Sequence, residues 1–516
     1  MNREALVSRF ALRFVACGLL GIGLLPGDRA SEMTHLADES DGTVRIEDER
    51  TLWIDEIRGE ILVGGRPSEA VRFLSTSLDS PSTEIPVAVW GDERTIRLAP
   101  AVGREQEAVR LEVHFPASMY LRVQTSDADV GVDDLERDVE IKGRDLRFGA
   151  RRLAAGLDLT LDGGRVYLED VAGDAVLRGQ ALEVEVRRMG GSLSMDLERS
   201  RAKLSEIWRG ADLDLNDSEL TVWAASGDFR LYASGGEAEL RGLTDGGTLK
   251  LASTAVRISE STGDLRIESD AMVRFHDNRG GAYVTGSYGA SVIGATNDGP
   301  VQVTTYGATV DLEGIRAPVQ VAGDDLEVRL RGIGAEVNVR TSSSEITITE
   351  PVGEVTVENN LGSVNVTGAK EKITVNSRNG DVTLVDVGGP VEVMADGPQV
   401  EVSWRALPTE ADSRIENDGG DILVQLPRRS GGIVDASAGF GRIECDLPGV
   451  TVSDNGDRAR GMMNRRSRPR LRVKADGSIR LVQAPSHREK HQAEKNAAAD
   501  RLSTGASTDR SPSPSP

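Results

Sequence analysis

The sequence predicts an all-β chain that folds as a parallel β-solenoid, in the manner of a single-stranded right-handed β-helix, with about eighteen residues and two strands per coil. Three observations predict this class. Pairs of alternating apolar residues recur every nine residues, longer motifs recur at twice that interval, and glycine makes up 57 of the 516 residues. A nine-residue unit has room for one short strand and one turn but not for a helical repeat.

The nine-residue period is clearest between residues 328 and 402, where it runs without an insertion. Both members of each apolar pair point to one face of a strand, because side chains alternate along a strand. Glycine and asparagine between the pairs suit tight corners, where φ is positive. The pairs are Val328/Leu330, Val337/Val339, Ile346/Ile348, Val355/Val357, Val364/Val366, Ile373/Val375, Val382/Leu384, Val391/Val393 and Val400/Val402.

Motifs that recur at twice the nine-residue interval indicate how many strands form a coil. Tyr288-Gly289 recurs as Tyr306-Gly307, and GPVQV at 299–303 recurs as APVQV at 317–321. A third copy, GPVEV, lies at 389–393. It follows the second copy by four of these doubled intervals, which corresponds to four whole coils. A coil of three nine-residue strands would not reproduce that phase. Two strands per coil are therefore favoured, with a three-sided coil as the alternative.

Upstream the rhythm is looser, with an irregular stretch at 144–260, and it can be followed back to about residue 125. Residues 31–124 contain strand-like runs without the nine-residue period. We expect them to cap the sheet, because an open edge would template association with other chains. The predicted organisation is a signal peptide (1–30), an N-terminal β cap (31–124), a β-solenoid repeat domain (125–457) and a basic, mostly disordered tail (458–516) with a last strand pair at 471–481.

Residues 1–30 are typical of a secretory signal. Three arginines precede an apolar run at residues 14–25, and this run is too short to span a bilayer, which takes ~20 residues. Cys17 follows a small residue, as in a lipoprotein, but the apolar run lies after the cysteine, which leaves lipidation of Cys17 open. We therefore expect an extracytoplasmic protein, either periplasmic, outer-membrane-associated or at the cell surface, with no transmembrane span in the mature chain.

Charge separates the body of the chain from its tail. The whole chain has 61 Lys and Arg against 83 Asp and Glu, a formal charge of −22, which argues against nucleic acid as a partner. Residues 458–516 have the opposite balance, with 14 basic and 5 acidic residues. Such a tail is expected to be solvated, or to contact its own acidic body, anionic lipid or an anionic polymer.

No catalytic residue, cofactor or metal site is predicted. The five histidines are scattered, without the spacing of a zinc site. After removal of the signal peptide Cys445 is the one cysteine left, so an internal disulfide is not available. We expect Cys445 to be a small core residue.

Two kinds of acidic sequence nevertheless have to be weighed. Asp212, Asp214 and Asn216 alternate with leucines and face outward, where paired carboxylates could serve a polysaccharide-active β-helix enzyme. Solvation of an acidic surface explains them more simply. Asp and Asn beside glycine at 417–421 and 454–457 offer oxygen ligands for calcium, and the same residues are typical of simple turns.

Residues 413–450 combine a Gly-Asp-Ile strand, a Leu-Pro corner, an alternating strand and a final Gly-x-Ile. This segment resembles the bacterial putative-adhesin family of β-strand-repeat proteins, a domain of unknown function. The segment LEVHFPASMYLRVQTSDADVGV at 111–132 resembles that family's entry into its repeats. The resemblance covers most of residues 43–483 and implies an extracytoplasmic β-solenoid without known catalytic residues.

Three functions follow from these observations. The first is a non-enzymatic envelope protein whose regular faces bind an extended partner, a glycan or an envelope protein, and so act as an adhesion or interaction surface. The second is a periplasmic scaffold or envelope-stress sensor that binds a regulatory partner. The third is a polysaccharide-active enzyme, for which residues 144–260 or an insertion at 403–412 would have to supply a cleft.

Overall fold

The computed structural model describes residues 33–45, 50–92, 94–409, 411–464, 466 and 468–484. Within these ranges the helices and strands assigned are all β-strands, with no helix among them. The strands form stacked, mostly parallel coils. The all-β solenoid prediction is confirmed. None of the described residues forms a helix with the length and apolar character needed to cross a membrane. The expected signal peptide, Cys17 and residues 485–516 of the tail lie outside the described residues.

The body of the solenoid follows the order of the sequence. At the ~4.8 Å spacing of neighbouring strands, about 17 turns make a rod on the order of 80 Å long. Its strands are β9 (Tyr120–Ser126), β10 (Ala128–Asp133), β11 (Val139–Leu153), β12 (Leu157–Val171), β13 (Ala175–Met189), β14 (Leu193–Glu198), β15 (Arg201–Ile207), β16 (Ala211–Ala225), β17 (Phe229–Leu243), β18 (Gly247–Ala252), β19 (Ala255–Ser259), β20 (Leu265–Ser269), β21 (Val273–His276), β22 (Ala282–Tyr288), β23 (Val292–Ala295), β24 (Val301–Tyr306), β25 (Thr309–Glu313), β26 (Val319–Asp324), β27 (Glu327–Arg331), β28 (Val337–Ser343), β29 (Glu345–Thr349), β30 (Val355–Leu361), β31 (Val364–Thr367), β32 (Ile373–Arg378), β33 (Val382–Val387), β34 (Val391–Asp396), β35 (Gln399–Trp404), β36 (Ser413–Asn417) and β37 (Asp421–Leu426).

Each coil contains two strand segments and about eighteen residues. Val139 pairs with Leu157, and Leu157 pairs with Ala175, always in parallel. The two-strand prediction is therefore confirmed, and the three-sided alternative is wrong. We name the two sheets that result. Face A contains β9, residues 139–144 and the strands in register with them as far as β36, and face B contains β10, residues 146–151 and the strands in register as far as β37.

Apolar residues from both faces fill the space between the two sheets. All nine predicted pairs between residues 328 and 402 are buried there. Val364, for example, is fully buried and pairs with Ile346 on one side and Val382 on the other. The inward assignment from the nine-residue period is therefore confirmed.

The stretch at 144–260, which the sequence suggests is irregular, forms regular coils. Successive partners such as Glu183, Arg201 and Glu219 are separated by one full coil of sequence. The period is hard to see in the sequence because β11, β12, β13, β16 and β17 each run round a corner as one 15-residue strand. The insertion at 403–412 is present, since Gln399 pairs with Asp421, which lies further along the chain than one regular coil would place its partner.

Non-glycine residues occupy many of the corners. Successive coils have positive φ at the end of face B, at Asp134, Arg152, Asp170, Arg188, Glu206, Ala224, Gly242, Glu260, Asp277, Thr296, Gly314, Gly332, Glu350, Gly368 and Asp386. A left-handed non-glycine residue costs roughly 1–2 kcal/mol. The expectation of glycine or asparagine at the corners therefore holds for only part of this column.

Buried polar side chains close the other turns by hydrogen bonds to the backbone. The Ser218 hydroxyl accepts from the Ser200 amide at 3.0 Å, and the Ser200 hydroxyl accepts from the Leu182 amide at 3.0 Å. Asn417 is fully buried, and its side-chain amide both donates to and accepts from the backbone of Gly397. These contacts satisfy backbone groups that the parallel ladder leaves unpaired at the turns.

The N-terminal end is built from coils that are out of sequence order. Face A runs inward from the end as β1, β6, β7, β3 and β9, and face B runs as β2, β5, β8, β4 and β10. The outermost pairings are antiparallel, which covers the parallel stack. The strands are β1 (Thr34–Glu39), β2 (Asp41–Arg45), β3 (Thr51–Asp55), β4 (Arg58–Arg66), β5 (Ala70–Ser77), β6 (Val87–Gly91), β7 (Thr95–Pro100) and β8 (Ala108–Pro116).

Trp53 on face A contacts both neighbours of the out-of-order coil formed by β3 and β4. The Trp53 ring lies between two guanidinium groups, 4.7 Å from that of Arg97 and 5.3 Å from that of Arg122. Arg97 also forms an ion pair with the buried carboxylate of Asp55. These contacts join β3 to the strands on both of its sides.

The C-terminal end also contains a coil that is out of sequence order. The coil formed by β42 (Arg470–Ala475) and β43 (Ile479–Gln483) lies between the coil of β36 and β37 and the coil of β38 (Gly432–Ala438) and β39 (Ile443–Cys445). Antiparallel strands β41 (Arg458–Met463) and β40 (Val450–Val452) cover face A beyond β38. The strand pair expected at 471–481 is therefore present. The solenoid also extends to Gln483, past the boundary at 457 that composition suggests.

Candidate interaction surface

Outward side chains of the two faces differ between the first and second halves of the body. From β9 to about β21 both faces are rich in charged residues, and many of these form ion pairs between neighbouring coils. Arg165 and Glu183 are 3.0 Å apart, and Arg201 and Glu219 are 2.7 Å apart. Each pair joins residues one coil apart in sequence, which are direct neighbours on one face.

The corner column carries the same kind of pairing. Arg152 Nε is 2.6 Å from Asp134 Oδ1, and Arg188 binds Asp170 in the same way two coils further on. The hydrogen bond from Arg152 lowers the pKa of Asp134, and the one from Arg188 lowers the pKa of Asp170. These carboxylates stay ionised to lower pH than an isolated aspartate does.

A contrasting segment of face A, which we call the neutral section, spans β22, β24, β26, β28, β30 and β32. Its outward residues are mainly hydroxyl, amide and tyrosine side chains, and the charged pair Arg340 and Glu358 is mutually compensating at 3.8 Å. The section consists of Tyr283, Thr285, Tyr288, Gln302, Thr304, Tyr306, Gln320, Ala322, Asp324, Asn338, Arg340, Ser342, Thr356, Glu358, Asn360, Thr374, Asn376 and Arg378.

Three of the six tyrosines of the chain lie at one end of the neutral section. Tyr288 and Tyr306 are direct neighbours in adjacent coils, with 76% and 47% of their surface exposed. A Cβ atom on Gly307 would lie 2.5 Å from ring carbons of Tyr288. Glycine at 307 therefore lets the Tyr288 ring lie against the edge of the next coil, while most of the ring remains exposed to solvent.

The sequence presents these residues as repeat markers and not as a surface. The Tyr-Gly echo and the Val-Gln-Val echo each span one coil, and their outward members are Tyr288, Tyr306, Gln302 and Gln320. The signal for a common surface is thus present, because an echo of one coil length places equivalent side chains next to each other. What the echo does not reveal is which of its members point outward together.

Asp212, Asp214 and Asn216 face outward on one strand of face A, as the alternation predicts. Asp214 lies in register with Asp196 of the preceding coil. Burial first, and then the carboxylates of Asp196 and Asp212, raise the pKa of Asp214. The three side chains lie on one strand between the coil of Ser194 and Asp196 and the coil of Arg230 and Tyr232.

The two acidic turns considered for calcium use their side chains to hold the fold. Asp421 accepts from the Ser478 amide at 2.7 Å, and Asp418 forms an ion pair with Lys474 at 3.0 Å. Asp457 accepts from the Ser453 hydroxyl at 2.8 Å. Across the described residues, no three His, Cys, Asp or Glu side chains are grouped as metal ligands.

The histidines that the structure describes are far apart in the chain and contact different neighbours. His35 binds Asp38 at 2.9 Å, and His276 binds Asp277 at 3.1 Å. His114 accepts from the Arg66 guanidinium at 3.3 Å. His487 and His491 lie outside the described residues.

Cys445 is half-buried at the edge of the core. Burial is the main cause that raises the pKa of its thiol, which keeps the sulfur in its less reactive protonated form. The sequence places Cys445 in the core, and the structure places it at the border of the core.

The described part of the basic tail contacts the acidic body. Residues 458–484 contain nine Lys and Arg and one Asp. Arg460 binds Asp435 at 2.9 Å, and Arg480 lies 3.6 Å from Glu444. Contact with the protein's own acidic residues is thus one outcome that the sequence left open. Contact with an anionic polymer or lipid stays a prediction.

Comparisons with known proteins do not assign a family. No protein-family model matches the chain, and no curated protein matches it. A solved structure described as a "putative cell adhesion protein from Clostridium sporogenes" is matched over 86% of this chain and 99% of that one, with 9% identity and a TM-score of 0.12. A likeness at that TM-score supports no inference about function. The resemblance to the adhesin family therefore stays a resemblance, and the β-solenoid fold is what agrees with it.

Proposed function

We propose that this protein is a non-enzymatic, extracytoplasmic β-solenoid that uses the neutral section of face A as an adhesion or interaction surface. The single observation that carries the proposal is the contrast in surface chemistry. A chain with a formal charge of −22 has, on six consecutive coils of one face, outward side chains that are mostly uncharged hydrogen-bonding groups and tyrosines. The extracytoplasmic setting is supported by the signal-like residues 1–30 alone.

The geometry of a parallel stack suits an extended partner. Equivalent side chains repeat every ~4.8 Å along the rod, so a long ligand meets the same kind of group at regular intervals. Gln302 and Gln320 are neighbours in such a row, and Asn338 follows them in the next coil. Amide groups both donate and accept hydrogen bonds, which suits a partner rich in hydroxyl or peptide groups.

Replacing two neutral groups of this row by carboxylates tests the proposal. In the variant Q302E/Q320E the side chains keep their size, while two adjacent negative charges enter the neutral section. The matched control is T347E/N365E, which places two negative charges on adjacent coils of face B, where Thr347 and Asn365 are outward neighbours. Both variants should melt like the parent, because all four side chains lie outside the core.

The readout is sedimentation of purified protein with isolated bacterial envelopes and with intact cells. We expect the parent and the face B control to co-sediment, and Q302E/Q320E to bind at least tenfold less. Equal binding of both variants would contradict the use of face A. A non-permeant protease added to intact and to lysed cells then separates the two settings: cleavage on intact cells supports surface adhesion, and cleavage only after lysis supports the periplasmic scaffold.

The non-enzymatic part of the proposal has its own test. Asp212 and Asp214 are the acidic pair with the best claim to catalysis, because the pKa of Asp214 is raised as an acid catalyst requires. Their flat, outward position supports a solvated role instead. The non-enzymatic proposal would be refuted if the parent released reducing ends from a polysaccharide and the variant D212A/D214A did not.

A further inference from the structure

The geometry of the tyrosine end of the neutral section points to a specific class of partner, and this inference rests on the proposed function. We infer that Tyr288, Tyr306, Gln302 and Gln320 form a binding site for a neutral polysaccharide that lies along the axis of the rod. Three properties of the site carry the inference: exposed aromatic rings, free amide groups beside them and the absence of a cationic cluster among the described residues of this end.

The aromatic rings supply flat apolar surfaces. Contiguous exposed aromatic surface is more informative than a single exposed ring, and here Tyr288 and Tyr306 are neighbours with 76% and 47% of their surface exposed. The Tyr288 ring lies against the backbone at Gly307, and most of its surface remains exposed to solvent. A sugar ring has an apolar face of C–H groups, which can stack on such a surface, while the tyrosine hydroxyl remains a polar contact.

The amide groups next to the rings are available for a ligand. Within the part of the chain that the structure describes, the side-chain amides of Gln302 and Gln320 have no hydrogen-bonding partner, and both residues are exposed. Tyr283 is in register with Gln302, and Gln302 with Gln320, so these three form one row along the axis. Each amide can donate to one sugar hydroxyl and accept from another.

A second row runs parallel to the first one at the edge of the sheet. Tyr288 is in register with Tyr306, and Tyr306 with Asp324. Neighbours in either row are separated by ~4.8 Å, so similar groups recur along the axis at a short, regular interval. A polysaccharide chain laid along the axis would stack sugar rings on Tyr288 and Tyr306 and bond its hydroxyls to Gln302 and Gln320.

The charge of the site favours a neutral polymer over an anionic one. The outward residues of β22, β24 and β26 on face A include no Lys or Arg, and the charged residue among them is Asp324, while the preceding coil places one cation, Arg266, 5.9 Å from the Tyr283 ring. A carboxylate repels an anionic polymer but accepts hydrogen bonds from sugar hydroxyls. A peptide partner or a second copy of the chain would use the same groups, and binding measurements distinguish these outcomes.

The test measures binding of the full chain to laminarin, mannan and dextran, with alginate as the anionic comparison, by affinity electrophoresis. We expect retardation by at least one neutral polysaccharide, at least tenfold weaker binding in Y288A/Y306A, and partial recovery in Y288F/Y306F, which keeps the rings. The matched control is Y232A, because Tyr232 is also exposed on face A but lies beside Lys250, in the charged half. Y232A should bind as the parent does.

Several outcomes would overturn the inference. They are failure of all three neutral polymers to bind, stronger binding of alginate, unchanged binding in Y288A/Y306A, or self-association of the parent that the tyrosine variant abolishes. These outcomes remain distinguishable from failure of the proposed function. If Q302E/Q320E still loses envelope binding while no neutral polysaccharide binds, the surface is used but its partner is not a neutral glycan.

Discussion

Removal of residues 458–516 should destroy the C-terminal end of the solenoid, whereas removal of residues 485–516 alone should leave it intact. Composition places a boundary at 457, but the coil of β42 and β43 lies between the coil of β36 and β37 and the coil of β38 and β39. A chain that ends at 457 loses this middle coil. The coil of β38 and β39 would then have no parallel neighbour, and β36 and β37 would become an open edge.

The magnitude follows from the side chains that the middle coil and β41 bury. Met463, Leu471, Val473, Ile479 and Leu481 are each at most 2% exposed. Burial of one such side chain stabilises by about 1.5–3 kcal/mol, so the five together contribute on the order of 8–15 kcal/mol. That equals the whole net stability of a typical domain, about 5–15 kcal/mol. The terminal coils therefore cannot remain folded without this segment.

Hydrogen exchange and light scattering provide the assay. The chain that ends at 484 should be monodisperse and should protect residues 413–445 like the parent. The chain that ends at 457 should exchange rapidly throughout 413–445 and should associate, because an uncovered parallel edge templates pairing with other chains. If the chain that ends at 457 stays monomeric and keeps protection at 413–445, the assigned order of coils at this end is wrong.

Three further predictions test other parts of the structure. V364D places a charge between Ile346 and Val382 and should unfold the neighbouring coils cooperatively; a melting curve like that of the parent would contradict the inward assignment. Arg188 lowers the pKa of Asp170, so that carboxylate stabilises the fold above its unfolded pKa and this stabilisation is lost as pH falls through the folded value. Hydrogen exchange between about pH 4 and pH 2 should therefore open the charged coils at 128–189 before the neutral section, and the reverse order would refute the role of the ion pairs. N417A removes a buried amide that bonds to the backbone and should destabilise the adjacent turns by about 1–3 kcal/mol, measured by denaturant unfolding; an unchanged midpoint would contradict the stabilising role of this amide.

The body of the fold could be predicted because each short segment of its sequence specifies its own local structure. Each nine-residue unit specifies one strand and one corner, and a pair such as Val364 and Val366 needs no distant partner to point inward. The parallel register then follows from the echoes at one coil length. The charged half contains a similar signal, because Arg152 and Asp134 have opposite charge and are one coil apart in sequence. Apolar alternation alone misses it, since strands such as β12 continue round their corner.

The ends could not be predicted in the same way, because periodicity says which residues are equivalent but not which coils are adjacent. Ser413 pairs with Leu471, which lies beyond the whole of β37 to β41 in the chain, and no period links them. The composition of residues 458–484 even suggests a solvated tail. These residues instead pack into the acidic body of the solenoid, where Arg460 forms an ion pair with Asp435 and Lys474 forms one with Asp418.

The two halves of the rod differ in how far their outward side chains compensate one another. In the charged half, outward residues such as Arg201 and Glu219 satisfy each other across neighbouring coils, so a partner would have to replace existing contacts. In the neutral section, Gln302, Gln320 and Tyr306 have no such partner in the described chain, and their bonding capacity is free for a ligand. The core beneath both halves is equally buried. The proposed binding site accordingly lies at the tyrosine end of the neutral section, where outward neighbours do not compensate one another.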